Sequence, residues 1–159
     1  MDEKTFQDCR DKALKKYNKM PKKGKISCEV IRAHVITVEK IAILLCMLFD
    51  VGESDTYTIR LGAVLHDIKK HKKKHNEKGA EYFKNKFSEF DISDDEKKAI
   101  EYMIRYHKAK PKELNKIISD KQYEPYMQKI SIVALADKIS KVYKIDEKMD
   151  KKLRKYLLL

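Results

Sequence analysis

Hydrophobic residues recur at three- and four-residue steps along much of this chain, which is the spacing of one face of an α-helix. Only 4 Gly and 3 Pro occur among the 159 residues, so few positions break such a pattern. Lys, Glu, Leu and Ile are abundant, and this composition favours helix over sheet. The clearest stripe consists of Val30, Ile31, His34, Val38, Ile41 and Leu45. The sequence therefore predicts an all-α fold, a helical bundle of about six to eight helices.

The length of the chain is that of one domain. With 159 residues, of which 42% are hydrophobic, it can bury a real core. No internal repeat or low-complexity linker divides it, so we expect a single domain over residues 1–159.

Capping residues and helix breakers indicate where the helices begin and end. We expect a first helix from about Asp2 to Asn18, ended by Pro21 and Gly24, and a second, capped by Ser27, that runs to about Asp50. A third helix carries Tyr57 and Leu61 and leads to His66-Asp67, and a short helix capped by Asn76 runs through Phe87. The next helix begins at a Ser93–Glu96 capping box and carries His107, Pro111 interrupts the pattern, and a last long helix begins at about Pro125.

Several polar residues fall on the apolar faces of these helices, where an unpaired polar group is costly. His34, His107 and Asp137 are the clearest cases, and a lone buried histidine is ordinarily a hydrogen-bonded core residue. Asp137 lies in an apolar segment and needs a cation, but Lys138 beside it points about 100° away around the helix. A metal is the simplest solution for the whole set. The candidate ligands are His34, His66, Asp67, His75, His107 and Asp137.

The ligand types limit the choice of metal. Imidazole and carboxylate without thiolate suit one or two divalent transition metals, namely Mn, Fe, Co, Ni or Zn. Two such ions, about 3.5–4 Å apart, can polarise a bound substrate and activate water.

The charge indicates anionic partners. The formal net charge is +12 and the pI about 9.4, as expected for a protein that binds phosphates or nucleic acid. Because the lysines are spread along the whole chain, a generally solvated basic surface is the alternative. His71, within the lysine run 69–74, is expected at the surface.

The compartment and the chain end give weaker signals. The three cysteines, Cys9, Cys28 and Cys46, are expected to be reduced thiols of a cytoplasmic protein. No membrane segment is expected, since the apolar run 41–49 is far shorter than the roughly 20 residues of a spanning helix, and residues 1–20 lack a signal core. The apolar end 156–159 either docks on the core or marks a truncation.

The order of these residues resembles the signature of the HD-domain metal-dependent phosphohydrolase superfamily. His34, then His66-Asp67, then Asp137 follow its sequence order, and the similarity covers about Ile26 to Ile145. The motif-bearing segments are Gly62-Ala63-Val64-Leu65-His66-Asp67-Ile68-Lys69-Lys70, His75-Asn76-Glu77-Lys78-Gly79-Ala80, Ile104-Arg105-Tyr106-His107 and Leu135-Ala136-Asp137-Lys138-Ile139.

The resemblance implies a role for each matching residue. His34, His66, Asp67 and Asp137 correspond to the ligands of a first metal. His75 and His107 correspond to the additional histidines of two-metal branches, in which the dyad carboxylate, here Asp67, bridges the ions. The pattern is most similar to a small two-metal branch that includes symmetrical dinucleoside tetraphosphate hydrolases.

Two positions after the dyad depart from patterns within the superfamily. Lys69 stands where a small residue is usual. Lys70 stands where the mononuclear nucleoside monophosphatases commonly have an acid. The Glu-Asp pair expected of alarmone hydrolases and the Gly-Tyr-Pro element of cyclic-dinucleotide phosphodiesterases are both absent from the sequence.

The resemblance implies a hydrolase that cleaves a phosphoester or phosphoanhydride bond with metal-activated water. Asp67 and Lys70 are the candidate catalytic residues, Lys70 as the group that neutralises phosphate charge. The expected partner is a phosphorylated small molecule, a nucleotide in the leading hypothesis. The alternatives are an HD-type nuclease or nucleic-acid-binding module, and a catalytically degenerate metal-binding regulatory domain.

Overall fold

The helix that leads to His66 is the central element of the structure. Its last five residues, 61–65, are all completely or almost completely buried. The computed structural model of the chain describes residues 1–21 and 27–142, and within these ranges it contains seven α-helices, one 3-10 helix and no strand. The prediction of an all-α bundle of six to eight helices is confirmed. The α-helices are α1 (Glu3–Asn18), α2 (Cys28–Leu48), α3 (Glu53–Leu65), α4 (His75–Lys86), α5 (Asp94–Tyr106), α6 (Pro111–Ile118) and α7 (Met127–Val142), and the 3-10 helix is Lys121–Tyr126.

Four helices surround α3. It packs against α1, α2, α5 and α7, while α4 covers α5 and α7 also packs against α2. The end of α3 is therefore the place where several helices converge. The turns over residues 66–74 follow directly, in agreement with the loop expected from the lysine run.

Close packing of α3 against α5 depends on a glycine. A Cβ at Gly62 would lie 2.7 Å from Cε and 3.1 Å from Cβ of Met103, closer than carbon atoms normally approach. Met103 is fully buried, so it has little space into which it can move.

A buried ion cluster joins the first three helices. Glu39 on α2 is only 2% exposed, and its carboxylate accepts hydrogen bonds from the Nε of Arg10 on α1 at 2.9 and 3.0 Å. The Nη2 of Arg60 on α3 donates to the same carboxylate at 3.0 Å. Two guanidinium groups thus compensate one carboxylate that would otherwise be costly to bury.

Helix starts agree with the capping signals in most cases. Asp2 and Ser27 are the N-caps of α1 and α2, where each side chain accepts a backbone N–H. Ser93 and Glu96 form the expected capping box of α5. These side chains satisfy backbone donors that a helix leaves unpaired at its start.

The prediction that Asn76 caps α4 is wrong. The helix begins one residue earlier, at His75, and its N-cap is Lys74, whose backbone is left-handed with φ of 51°. The amide of Asn76 is used elsewhere, because its Nδ2 donates to the carbonyl of Arg105 at 3.0 Å. This bond links α4 to the end of α5.

The sequence analysis did not predict a helix in the segment after α5. Pro111 begins α6, because proline is favoured at the first helical position, where its missing N–H costs nothing. Pro125 lies inside the 3-10 helix, so the last helix begins at Met127 instead. Among the expected features, Gly24 and the apolar end 156–159 lie outside the described residues. No helix in the described ranges combines the length and the apolar character needed to cross a membrane.

We predict that Gly62→Val lowers the free energy of unfolding by about 1–3 kcal/mol, since the added methyl groups overpack a buried contact. Chemical denaturation followed by circular dichroism measures this change. Gly52→Ser is the matched control, because a Cβ at Gly52 meets nothing within 4 Å and serine is well accepted at this N-cap of α3; it should alter the free energy of unfolding by no more than about 0.5 kcal/mol. Equal stability of the parent and the Gly62 variant would show that α5 yields at this contact.

Candidate metal centre

All six candidate ligands meet at one place in the structure. His34 comes from α2, Asp137 from α7 and His75 from the start of α4, while the dyad follows α3 and His107 follows α5. Except for His34, whose side chain is 22% exposed, each is buried. Five helices therefore place three histidine–carboxylate triplets around one point, each with ligand atoms within 4.8 Å of one another. The triplets are His34, His66 and Asp67; His66, His107 and Asp137; and Asp67, His75 and His107.

Two of the histidines are oriented by the ends of their helices. The Nδ1 of His66 donates to the carbonyl of Ala63 at 2.6 Å, and that of His107 donates to the carbonyl of Ile104 at 2.8 Å. The last carbonyls of a helix lack partners within the helix, so each ring supplies one. With one proton held on Nδ1 of each ring, Nε2 is the nitrogen that points into the cluster and that can bind a metal when it carries no proton.

One group of ligand atoms surrounds the oxygen Oδ2 of Asp67. The Nε2 atoms of His34 and His66 lie 3.7 and 3.4 Å from it. The Oδ1 of Asp137 lies 3.1 Å from the Nε2 of His34 and 3.6 Å from that of His66. Two imidazole nitrogens and two carboxylate oxygens form the donor set expected of a divalent transition metal.

A second group surrounds the other oxygen of the same carboxylate. The Nε2 of His75 lies 3.0 Å from Oδ1 of Asp67, and the Nε2 of His107 lies 3.7 Å from it. All three atoms are buried and make no hydrogen bond. Buried polar atoms are nearly always satisfied, so three such atoms around one point indicate that a cation belongs between them. The residues present fit a second metal as well as the first.

The ionisation of the cluster suits metal binding. Burial raises the pKa of the Asp67 carboxyl, but the adjacent His66 and further partners outweigh this and hold the pKa well below its usual range. The pKa of Asp137 is lowered in the same way, as hydrogen bonds with His34 and His66 outweigh its burial. Both side chains are therefore anionic at neutral pH.

The histidines differ in protonation. Burial lowers the pKa of His107 to about 3, and the charge of His66 contributes in the same direction, so His107 is neutral. For His66, burial also lowers the pKa, but the charges of Asp67 and Asp137 prevail and raise it to about 9. A proton on His66 thus balances part of the carboxylate charge, and it must leave when that ring binds a metal.

Lysines supply the rest of the compensating charge. The Nζ of Lys70 lies 2.7 Å from Oδ2 of Asp67, and Lys141 donates to Oδ2 of Asp137. The contact of Lys141 with Asp137 was not predicted from the sequence, although Lys141 lies one helical turn after Asp137, a spacing at which side chains meet. Lys138 points elsewhere, as expected, and donates to the carbonyl of Ala109 at 3.3 Å.

Two further side chains near the cluster were not foreseen. The Oγ of Ser140 donates to the carbonyl of Asp137 at 2.8 Å and lies 3.4 Å from the Nδ1 of His34. The buried hydroxyl of Tyr17 donates to the carbonyl of Val64 at 2.7 Å, just before the dyad. Neither residue carries a sequence signal, because only the packing of α7 on α2 and of α1 on α3 brings them there. His71, expected at the surface, is half-buried and belongs to none of the triplets.

We predict that His75→Ala and His107→Ala each lower the metal content of the saturated protein by about one ion per chain, since each removes one of the two imidazoles that face Oδ1 of Asp67. Elemental analysis of the reconstituted, desalted protein measures this. His71→Ala is the matched control and should retain the content of the parent. Equal stoichiometry in all four proteins would make His75 and His107 structural residues.

Comparisons with known proteins give one match. The sequence model of the HD domain matches residues 31–141, a span that contains every one of the six clustered residues. No curated protein and no solved structure matched the chain. Since the family match covers well over half of the sequence, and the clustered histidines and aspartates have the order His34, His66-Asp67, Asp137, the chain belongs to the HD domain family, a superfamily of metal-dependent phosphohydrolases.

Proposed function

We propose that this protein hydrolyses a phosphoester or phosphoanhydride bond of a nucleotide-type substrate with a metal-activated water molecule. One observation carries the proposal: three buried ligand atoms, Asp67 Oδ1, His75 Nε2 and His107 Nε2, converge without hydrogen-bond partners. A purely structural core would not keep such atoms unsatisfied, whereas a binuclear hydrolase needs them.

The two oxygens of the Asp67 carboxylate face different groups of ligands, and each would bind one of two ions. Oδ2 faces His34 and His66, which with Asp137 would hold the first ion. Oδ1 faces His75 and His107, which would hold the second. A pair of divalent ions in such a site polarises the phosphoryl group and lowers the pKa of water toward neutrality. We propose Mn, Fe, Co, Ni or Zn, because the donor set is nitrogen and oxygen without thiolate.

The surroundings of the site keep most of these ligands in the protonation state that binds a metal. Both carboxylates are ionised and His107 is neutral, so these groups bind metal at neutral pH without a proton change. His66 must release a proton before its ring can bind a metal, and metal affinity should therefore rise with pH up to about 9, the value to which the pKa of His66 is raised. Apolar neighbours such as Leu65 and Ile68, both fully buried, exclude water from the inner side of the cluster.

Lys70 is the proposed partner of the transferred phosphoryl group. Its ammonium lies on Oδ2 of Asp67, beside the position of the first ion, and its side chain is 22% exposed. A cation at this point can reach both the ligand carboxylate and a phosphate that enters from solvent. Stabilisation of charge that develops on a phosphoryl oxygen is the role that we assign to it.

A nuclease is the second candidate, and one surface feature favours it. The Nζ of Lys69 lies 4.1 Å from the ring centroid of Tyr82, in a pocket of about 320 Å³ that Lys72, Lys78 and Lys86 also line. Lysines around an aromatic ring are suited to the backbone and bases of a single strand. Because none of the six candidate ligands lines this pocket, this surface does not replace the metal centre as the reactive site.

The proposal predicts that Asp67→Ala abolishes both metal binding and phosphate release, since Asp67 is the carboxylate shared by both groups of ligands. The experiment reconstitutes the protein with each of the five metals in turn. It then measures phosphate release from nucleoside mono-, di- and triphosphates, dinucleoside polyphosphates and a short oligonucleotide.

Asp91→Ala is the control, because Asp91 is exposed and lies away from the cluster. That variant should retain the activity of the parent, and circular dichroism should show equal helical content in all three proteins. Hydrolysis by the Asp67 variant at the parent's rate would overturn the proposal, and cleavage of the oligonucleotide alone would replace it with the nuclease.

A further inference from the structure

Positively charged side chains from three different elements meet at the edge of the metal centre. Lys70 follows α3 and lies 2.7 Å from Asp67, and Lys141, in the last turn of α7, donates to Asp137. Lys108 belongs to a third segment of the chain, since it directly follows the ligand His107 at the end of α5. We call these three lysines the lysine rim.

The charges of the rim and of the ligand carboxylates act on Lys108 together. Partial loss of solvent lowers the pKa of the Lys108 ammonium, and the charge of Lys70 lowers it further, against the opposing effect of Asp67. Lys141 and Asp137 exert the same pair of opposite effects more weakly. Lys108 is thus within electrostatic reach of both ligand carboxylates, although it forms no ion pair with either among the described contacts.

The charge balance of the site changes when metal enters. Lys70 and Lys141 pair with the two ligand carboxylates, so these four charges cancel. A divalent ion becomes the largest local charge, and with Lys108 it leaves a surplus of about three positive charges with one ion and about five with two. A phosphate monoester carries only about −2 at neutral pH, and each further phosphoryl group of a chain adds about one more negative charge. A chain of phosphates therefore matches the surplus better than a single one.

A cleft next to the rim has room for the rest of such a substrate. It has a volume of about 710 Å³ and is lined by Lys108, Tyr106, Arg105, Asn76 and Ile117, among others. This size is typical of small-molecule sites. Asn76 directly follows the ligand His75 in the chain, and Lys108 directly follows the ligand His107, so the cleft is lined by residues adjacent in sequence to both histidines of the second group.

We propose that the lysine rim selects nucleotides that carry two or more phosphates over monophosphates, with the phosphate chain across Lys70, Lys108 and Lys141 and the nucleoside in the adjoining cleft. The proposal rests on the phosphohydrolase function proposed above. In the reaction, the oxygen of water forms a bond to phosphorus and the bond from phosphorus to the bridging oxygen breaks. The bridging oxygen keeps the electron pair and stays on the nucleotide, which now has fewer phosphates, and a proton is released to solvent.

Kinetics on the mono-, di- and triphosphate of one nucleoside test this, with the metal-loaded protein and a fixed concentration of free metal. We expect kcat/KM to rise with phosphate number, by about tenfold or more from mono- to triphosphate. Lys108→Ala and Lys141→Ala should lower kcat/KM for the triphosphate by about tenfold or more and for the monophosphate by less than about threefold, because a short substrate reaches fewer of the lysines. The preference should therefore collapse in both variants.

Lys40→Ala is the charge-matched control, since Lys40 is exposed on the far half of α2, and it should leave the preference unchanged. A second readout does not depend on turnover. Calorimetry should show that an imido-linked, non-hydrolysable triphosphate binds the Lys108 variant about tenfold more weakly than the parent, while binding of the monophosphate changes little.

The outcomes separate the two proposals. Equal losses on all three nucleotides, or a parent that prefers the monophosphate, would overturn the role of the lysine rim and leave the phosphohydrolase intact. Cleavage of an oligonucleotide in preference to every nucleotide would also overturn it. Absence of any metal-dependent phosphate release would remove the proposed function itself.

Discussion

The carboxylate of Asp67 is the constraint on which the rest of the structure depends. It is fully buried and remains ionised, and an ionised carboxylate in a low-dielectric interior is tolerated only when cations and hydrogen bonds surround it. The chain meets this need with side chains from every direction: His34 and His66 toward one oxygen, His75 and His107 toward the other, and Lys70 from the solvent side. Helices α2, α4 and α5 are held at the end of α3 so that these groups surround the two carboxylate oxygens of Asp67.

This arrangement depends on ordinary helix physics. The rings of His66 and His107 bind carbonyls that the ends of α3 and α5 leave unpaired, so one hydrogen bond both ends a helix and aims a ligand. Gly62 allows α5 to approach α3 closely, which brings His107 beside the dyad. The core and the site are therefore built from the same contacts.

The sequence was sufficient for the features that depend on local pattern. The helical stripes, the capping box at Ser93 and Glu96, and the polar residues on apolar faces all follow from spacing along the chain. Features that depend on tertiary contact were missed or misread. Asn76 has the side chain of a helix cap, but it binds a carbonyl of α5 instead, and no local pattern reveals that competition.

The lysines show the same division between local and tertiary information. Lys141 could have been found, because it lies one turn after Asp137. The position of Lys108 relative to Asp67 could not, since it depends on how α5 packs against α3. The net charge of +12 indicates an anionic partner in general terms, and only the structure distinguishes the three lysines of the rim from the many that are spread over the surface.

Anomalous diffraction from crystals of the manganese-loaded protein, recorded on both sides of the manganese absorption edge, tests the central claim most directly. We expect two anomalous peaks, about 3.5–4 Å apart, with Asp67 as the one residue that coordinates both. A peak in which His75 and His107 take no part would reduce the site to a single ion. Absence of any peak at Asp67 would show that this carboxylate does not hold a metal.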